Sequence, residues 1–433
     1  MWPASKKGGA MIKRGRLGAL GALGLLGCLV WLGTVPPVVV AEEQELQIGL
    51  PDFPRRVRRT LPELKPEQEI RVGILKLHPS FRSAIQFDDN IRLASSGEES
   101  TVIFQEKPGI IGEVKLGDHR LEAGYGIEIL SFAGDSAEDS LNHLAHGQLD
   151  LNLANNFSVT TKDTFERNEG RLFTETTDRD KININTLEIL GRYDRPMWAL
   201  EGGWTYNLVD HDTAAFESND YDEHVLAILG GYKIFPKTLW LVETDVGFIE
   251  YDANTTRGDH TYWQILTGLR GELTSKVTST IKVGFQNRDF DNLATAPGDA
   301  DEFVADAELV YSPTTDDVAR LEYLRTLRTS TYATNHYYRQ DKIALSYRKR
   351  FARKWLVTPR FSWQLNDYHV ASTEGGVTKE REDDFFQVGL DLRYELKEWL
   401  SSGIAYNFRT RNSNFGTFDY DNNRYTFDVT LAF

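Results

Sequence analysis

The C-terminal part of the chain shows a regular alternation of apolar and polar residues. Phe386, Val388 and Leu390 are separated by single polar or small residues, and the same alternation recurs at 400–409 and 425–433. A period of two places neighbouring side chains on opposite faces of a strand. The pattern therefore predicts β-strands with one apolar and one polar face. Such segments, of roughly 10–16 residues each, begin at about residue 79 and continue to the end of the chain.

The segments between these predicted strands alternate between short and long. The short ones are predicted turns at 117–118, 155–156, 195–196, 235–237, 312–314 and 351–354. The long ones are polar, mostly acidic loops near 88–99, 133–139, 168–180, 210–220, 252–260, 290–300, 330–336, 368–384 and 411–422. Short turns that alternate with long loops are typical of antiparallel barrels in bacterial outer membranes.

The predicted fold class is an all-β membrane protein. We expect a single antiparallel transmembrane β-barrel of about 16–18 strands, with short periplasmic turns, long extracellular loops and an aqueous lumen. A soluble β-sandwich also alternates, but rarely with such long strands and so many exposed aromatic residues. A propeller would show a repeat for each blade, and the sequence shows none.

The N-terminal residues 1–41 resemble an export signal. Lys13, Arg14 and Arg16 precede an apolar stretch at 17–40, and Ala41 is followed by two acids. A basic start, an apolar stretch and small residues before the cut are typical of a secretory signal peptide. The stretch is also long enough to span a membrane as an anchor. Pro36 and Pro37 favour cleavage over anchoring.

Residues 42–78 have a different composition and predict an extended periplasmic linker, with the barrel at 79–433. The linker is rich in proline and charge and contains the basic run 55–59. This run could bind a periplasmic partner or an anionic surface, or it could be part of a solvated tether. We expect the tether.

Composition narrows the possible functions. The net charge of the 433-residue chain is −15, which argues against nucleic-acid binding, because that function needs a surplus of basic residues. Aromatic residues make up 12 %, yet the mean hydropathy is −0.42. This combination suits a sheet with one face in lipid and the other in water. The only cysteine, Cys28, lies in the N-terminal apolar stretch, so the predicted barrel has no disulfide or thiol nucleophile. Cys28 also leaves a lipoprotein signal as an alternative.

The last strand ends at the last residue, Phe433, with no polar tail. Barrel assembly machinery commonly recognises a C-terminal strand of this kind, and the predicted assembly signal consists of Tyr425, Phe427, Val429, Leu431 and Phe433.

Candidate catalytic histidines are not supported by their spacing. His143 and His146 are three apart, which puts them on opposite faces of a strand, whereas a metal or catalytic pair needs one face. The neighbours His211 and Asp212, and likewise 259–260, lie in predicted loops and do not converge. We expect no enzyme activity, cofactor or metal centre.

Two oxygen-rich segments are candidate calcium sites. They are the acidic stretches at 88–90 and 382–384. The alternative, which we favour, is loop charge in contact with water.

If the apolar positions face lipid, the positions between them face the lumen. The predicted lumen acids come mainly from the first half of the barrel: Glu122, Glu128, Asp150, Glu201, Glu243 and Asp245. The predicted lumen bases come from the second half, where Asp391 accompanies them: Arg270, Lys282, Arg288, Arg320, Arg348, Arg360, Arg393 and Arg409. We expect the two sets on opposed sectors of the wall, where the basic sector could guide acidic sugars such as uronates. The alternative is that opposite charges neutralise their neighbours and keep the lumen wet.

Several short motifs resemble the Putative β-barrel porin 2 family. The matching segments, in the order of the family's motifs, are PSF at 79–81 with FDDNI at 87–91, EKPGI at 106–110, FQNRDFD at 285–291, YNFRTRNS at 406–413, YDNNR at 420–424 and the terminal Phe433. The resemblance covers about residues 79–433 and does not explain the basic segment at 42–70.

The resemblance implies a location in the outer membrane of a Gram-negative bacterium and a link to exopolysaccharide synthesis and export. Some family members are thought to supply the outer-membrane pore for periplasmic export proteins that lack a barrel. We therefore expect a conduit for an exopolysaccharide, with outer-membrane lipid, barrel assembly machinery and a periplasmic polysaccharide-export protein as partners. The alternatives are a general or solute-specific uptake porin and, less favoured, a structural or enzymatic barrel.

Overall fold

The structure is a computed structural model that describes residues 70–153, 156–171, 175–252, 258–290, 300–332 and 335–433. The predicted signal peptide and most of the predicted linker lie outside the described residues. The strands are β1 (Ile70–Val72), β2 (Leu75–Asp88), β3 (Thr101–Leu116), β4 (His119–Phe132), β5 (Ser140–Leu153), β6 (Phe157–Arg171), β7 (Arg179–Asp194), β8 (Trp198–His211), β9 (Tyr221–Phe235), β10 (Thr238–Tyr251), β11 (His260–Thr274), β12 (Val277–Phe290), β13 (Ala300–Tyr311), β14 (Asp317–Thr329), β15 (Tyr337–Phe351), β16 (Trp355–Tyr368), β17 (Ser372–Glu374), β18 (Val377–Lys379), β19 (Glu382–Lys397), β20 (Leu400–Ser413) and β21 (Tyr420–Ala432).

The chain forms a closed antiparallel β-barrel of 18 strands, which confirms the predicted fold class. Strands β2–β16 and β19–β21 follow one another around the wall, and β2 pairs with β21 to close it. The short strand β1 pairs with β2, and β17–β18 form a separate hairpin within one loop. Among the described residues, no helix combines the length and apolar character needed to cross a membrane.

The barrel has a turn end, where the connections are short, and a loop end, where they are long. The short turns predicted at 117–118, 195–196, 235–237, 312–314 and 351–354 lie at the turn end, although Phe235 and Phe351 still belong to β9 and β15. The turn predicted at 155–156 lies partly outside the described residues. Two further turns, at 275–276 and 398–399, had no recognised signal. Strands β6 and β7 extend further towards the loop end than predicted, leaving 172–178 between them in place of 168–180. At the turn that follows β15, Ala352 and Arg353 both adopt positive φ, of 47° and 63°.

One detail of the sequence prediction is wrong. The barrel starts at Leu75 and not at residue 79, because Leu75 already pairs with Val114 of β3. Strand β7 pairs in continuous register with β6 and β8. Register shifts occur near the turn ends of β10, β11 and β19.

The outer face of the wall is apolar and exposed, and the inner face is largely polar and buried. The most exposed apolar side chains on strands include Phe285 at 63 %, Ile228 at 62 % and Ile404 at 56 %. In a soluble protein this surface would be unfavourable, whereas in a bilayer it contacts hydrocarbon. The inverted arrangement accounts for a chain that is rich in aromatic residues and polar on average.

Side chains reinforce the seam where the barrel closes. Arg82 of β2 and Asp428 of β21 form an ion pair at 3.1 Å, and Asp88 and Arg424 form another at 2.8 Å. The backbone N–H of Phe433 donates to the carbonyl of Pro79, and its ring stacks on Trp399 with centroids 5.6 Å apart. Within the predicted assembly signal, Tyr425 and Phe427 are half exposed on the outer face. Their recognition by assembly machinery stays a prediction.

Candidate functional site

The predicted lumen residues lie on the inner face of the wall. Each is separated by an odd number of positions from the exposed apolar residues of its own strand, as in β12, where Lys282 and Arg288 alternate with Ile281, Val283 and Phe285. The same holds for the predicted residues of the other strands: Glu122, Glu128, Asp150, Glu201, Glu243, Asp245, Arg270, Arg320, Arg348, Arg360, Asp391, Arg393 and Arg409. That they line a conducting pore stays a prediction.

Two predicted acids contact two predicted bases directly. Glu201 accepts from Arg270 at 3.1 Å, and Glu243 accepts from Lys282 at 3.0 Å. Lys282 is 2 % exposed and also lies 3.5 Å from Asp306. The acidic and basic sets therefore meet in the central wall, between strands that lie three apart (β8 and β11) or two apart (β10 and β12).

The remaining predicted acids are held by hydrogen bonds from β3, β5, β6 and β11. Glu122 lies 3.1 Å from His146, and Glu128 accepts from amide groups of β3 and β5. Asp150 accepts a hydrogen bond from the Thr160 hydroxyl, and the buried Asp245 accepts one from the Gln264 amide at 2.5 Å.

Several predicted bases also have identified partners. Arg393 donates to Asp428 at 3.0 Å, Arg320 lies 3.5 Å from Glu308, and Arg409 donates to Asn422 at 2.9 Å. Arg288 instead donates to a backbone carbonyl, that of Leu327, at 2.9 Å. Arg348 and Arg360 lie on the same inner face.

The expected separation of charge between opposed sectors is therefore only partial. Strands of the acidic sector also carry Arg82, Lys107 and Arg120, and strands of the basic sector also carry Asp306 and Asp428. Opposite charges within about 4 Å cancel most of each other's field at longer range. This arrangement favours the alternative in which neighbouring charges neutralise each other.

A cavity of ≈ 120 Å³ lies against the inner wall between β2–β6 and β20–β21. Its lining combines amides with four bases and four acids: Arg82, Gln86, Asp88, Gln105, Lys107, Glu128, Glu138, Asn142, Glu169, Arg171, Asn407 and Arg424, among others. Lys107 pairs with Glu128 at 2.7 Å, and Arg171 pairs with Glu138 at 2.8 Å. The four bases and four acids of the cavity wall thus sum to no net charge.

At the loop end, a residue from one side of the barrel contacts the opposite side. Glu175, between β6 and β7, accepts hydrogen bonds from the Ser330 hydroxyl at 2.5 Å and from the backbone and hydroxyl of Thr331 at 2.5 and 2.7 Å. Six strands, β8–β13, separate β7 from β14 along the wall. Glu175 therefore reaches across the mouth of the barrel.

Arg381 anchors the same contact from the loop between β16 and β19. Its guanidinium is fully buried, donates to Asp383 and to the carbonyl of Glu175 at 2.6 Å, and lies 3.7 Å from the ring centroid of Phe418 and 4.3 Å from that of Tyr332. Burial alone would lower the pKa of Arg381, but the neighbouring phenol and carboxylate outweigh it and the pKa is raised. A permanently charged guanidinium thus holds Glu175 in place across the mouth.

The structure decides the histidine and calcium hypotheses in different ways. His143 bonds the exposed Tyr125, whereas His146 faces inward, so the two lie on opposite faces as predicted. His211 lies in β8 and not in a loop, and it bonds Asp180 at 2.8 Å. Among the described residues, no cluster of three or more His, Cys, Asp or Glu could hold a metal ion.

The acidic stretches at 88–90 and 382–384 are not simply solvated loop charge. Asp88 is 1 % exposed and paired with Arg424, and Asp383 is fully buried and paired with Arg381. The prediction of solvated charge is wrong here, because the closed barrel brings distant arginines to these carboxylates.

The contribution of Glu175 could not have been found from the sequence, since it lies in a polar loop without periodicity. The inner-face positions of Arg82 and Asp428 could have been predicted, because both residues occupy polar positions in strands where polar and apolar residues alternate.

A closed antiparallel barrel with an apolar outer face and a polar inner wall defines the class of transmembrane β-barrels of the porin type. The chain belongs to the Putative β-barrel porin 2 family, whose model matches residues 67–433. No curated protein sequence matches the chain.

Solved structures show low similarity. OpdL of Pseudomonas aeruginosa is 13 % identical with a TM-score of 0.45, covering 83 % of this chain and 99 % of that one. OccAB3 of Acinetobacter baumannii is 12 % identical with a TM-score of 0.44, covering 84 % and 100 %. The siderophore receptor PirA of P. aeruginosa is 9 % identical with a TM-score of 0.44, covering 82 % and 80 %. At these values no functional property is transferred from them.

Proposed function

We propose that the chain is a conduit for an exopolysaccharide in the outer membrane of a Gram-negative bacterium. The turn end would face the periplasm and the loop end the exterior, as in other barrels of this type. The observation that carries the proposal is the polar, charge-paired inner wall of an 18-stranded barrel. Barrels of this size are wide enough for an aqueous channel, whereas eight strands would be filled by side chains.

The chemistry of the wall is suited to sugars. Sugar hydroxyl groups both donate and accept hydrogen bonds, and amides and carboxylate–arginine pairs offer both kinds of partner. Gln86, Gln105, Asn142 and Asn407 supply such amides around the cavity. Because the charges there are paired, a sugar chain would slide along the wall without a strongly bound charge to stop it. The family resemblance supplies the link to exopolysaccharide export.

The test combines a secretion assay with channel recordings. We expect deletion of the gene in the native bacterium to abolish surface polymer and to leave polymer in the periplasm. In planar bilayers we expect the purified protein to conduct ions and to be blocked reversibly by oligosaccharides, with neutral and uronate oligomers compared. Normal secretion with impaired uptake of a small solute would contradict the proposal and support an uptake porin.

A pair of variants in β20 separates the lumen from the lipid face. Asn407→Trp narrows the cavity, so it should lower both conductance and secretion. Ile404→Trp places the same bulk on the lipid-facing side, where Ile404 is 56 % exposed, and should change neither. Equal effects of the two variants would show that the cavity is not part of the route.

A further inference from the structure

The pairing between β13 and β14 stops before either strand ends. The register runs from Tyr311↔Ala319 at the turn end to Ala305↔Arg325. Towards the loop end, residues 300–304 of β13 and 326–329 of β14 are not paired with each other. This is the shortest ladder between neighbouring strands of the wall.

The end of β14, which stays paired with β15 but no longer with β13, lies on the inner side of the wall against β12. Gln286 and Arg288 point to the lumen from β12. Gln286 accepts from the backbone N–H of Leu327 at 3.3 Å, and Arg288 donates to the Leu327 carbonyl at 2.9 Å and to Thr329 at 3.0 Å. Side chains thus satisfy backbone groups that a neighbouring strand would otherwise pair.

The exposed edge of β13 is satisfied in the same way. The Arg325 guanidinium donates to the carbonyl of Phe303 at 3.1 Å. Glu302, on the inner face of β13, lies 3.4 Å from Arg325 and 3.9 Å from Arg339 of β15. The loop-end parts of β14 and β15 therefore lie over the inner side of β12 and β13 instead of beside β13 in the sheet.

An apolar contact completes the overlap. Leu327 is 2 % exposed and packs with Phe290, Ala300 and Tyr337, and the rings of Phe290 and Tyr337 stack with centroids 5.8 Å apart. We call residues 326–332 and 335–340 the flap. At its end, Ser330 and Thr331 donate hydrogen bonds to Glu175 from the opposite wall, so the flap and Glu175 together bridge the mouth.

The flap has a second arrangement available. If the β13–β14 register continued, Phe303 would face Leu327 and Asp301 would face Thr329, and the two strands would complete their ladder. The side-chain bonds from Gln286, Arg288 and Arg325 to the backbone would then be exchanged for backbone bonds of the same kind. Two packings that satisfy the same groups form a bistable element of the type that proteins use for switching.

We propose that the flap is a gate. In the closed state, Glu175 holds it by hydrogen bonds, and in the open state residues 326–329 pair with β13. This proposal relies on the proposed conduit function only to explain what the gate is for. Its two strand registers can be tested without any transport measurement.

Engineered disulfides distinguish the two states, since partners on paired strands lie about 4.5–5.5 Å apart and a disulfide requires about 4.4–6.8 Å between Cα atoms. Phe303→Cys/Leu327→Cys can form a disulfide only in the open register. Glu175→Cys/Thr331→Cys links the latch of the closed state. Leu309→Cys/Leu321→Cys is the matched control, because these residues are partners in the permanent part of the ladder.

Each pair is oxidised in the folded, membrane-inserted protein, and free thiols are counted by maleimide labelling after denaturation. We expect the Phe303/Leu327 pair to oxidise and to raise single-channel conductance roughly twofold or more, reversibly on reduction. We expect the Glu175/Thr331 disulfide to hold conductance at its lowest level and the control disulfide to leave it unchanged.

Failure of the Phe303/Leu327 pair to oxidise under conditions that oxidise the control would overturn the gate. Oxidation of the Phe303/Leu327 pair without a rise in conductance, in an experiment in which the other variants conduct, would also overturn the gate. If no variant conducts, the conduit function fails, and the thiol count still decides whether the second register exists.

Discussion

Lys282 is the side chain whose removal should most damage the inner wall. It is 2 % exposed and lies between two carboxylates, Glu243 at 3.0 Å and Asp306 at 3.5 Å. Lys282→Met keeps most of the side-chain volume but leaves both carboxylates without their cation. If the buried charges mainly neutralise each other, this substitution must be costly.

The magnitude follows from the geometry. At an effective dielectric constant of about 20, a charge pair at 3 Å attracts by roughly 5 kcal/mol before desolvation is counted. Removal of one partner of a buried pair typically costs about 3–5 kcal/mol, which is the expected loss for Lys282→Met. Glu243→Gln should cost less, about 1–2 kcal/mol, because Asp306 still balances Lys282. The double variant should be more stable than the sum of the two losses predicts.

The assay is urea-induced unfolding in lipid, followed by the heat-dependent shift of folded barrel in electrophoresis. Arg270→Met is the matched control: it breaks the pair with Glu201, in which Arg270 is 34 % exposed, and should cost about 1 kcal/mol or less. The reasoning is refuted if Lys282→Met lies within about 1 kcal/mol of the wild type, or if the two substitutions are simply additive.

Three further predictions concern assembly, packing and pH. Deletion of Phe433 should lower the amount of folded protein more than removal of residues 371–380, because Phe433 bonds Pro79 at the closing seam whereas loop length costs little entropy; equal folded levels would contradict this. Gly284→Ala should destabilise by about 2 kcal/mol or more, since its Cβ would lie 1.8 Å from the Ile265 carbonyl, whereas Gly202→Ala meets nothing within 4 Å and should be tolerated; equal urea midpoints would count against it. Burial raises the pKa of Asp220 to about 6, against an unfolded value of about 3.9, so its contribution to loop stability should be present at low pH and fall as pH rises from about 4 to 6. The protection factors for hydrogen exchange in 212–220, which are corrected for the intrinsic pH dependence of exchange, should thus be larger at pH 5 than at pH 7.5. Asp220→Asn should remove this difference in protection; an unchanged difference in the variant would exclude Asp220 as its source.

The sequence was sufficient for features that depend on alternation alone. Glu122, Lys282 and Arg393 each lie an odd number of positions from the apolar residues of their strand, which places them on the inner face. In a closed sheet, every strand keeps the same face towards the lumen. Turns were predictable where glycine or proline interrupts the pattern, as at 117–118 and 195–196. The turn at 275–276 has neither residue, and it was missed.

Features that depend on closure were not predictable in this way. Asp383 reads as loop charge in the sequence, and only the folded barrel places Arg381 and the aromatic rings around it. The overlap at Leu327 is invisible for the same reason, since β14 alternates normally and nothing local indicates that its ladder with β13 will stop. Glu175 contacts residues more than 150 positions away, which no local pattern encodes.

The closing seam also sets the order of events in folding. Every other ladder of the wall joins strands that follow one another in the chain, with only the β17–β18 hairpin between β16 and β19, whereas Asp88 and Arg424 are 336 positions apart. Bringing such distant ends together costs about 3 kcal/mol more chain entropy than closing a hairpin of about ten residues. The two ion pairs at the seam can offset part of that cost only after β21 has reached β2. The rate-limiting step of folding is therefore expected to be this single non-local encounter, so that the barrel completes slowly and at its last strand.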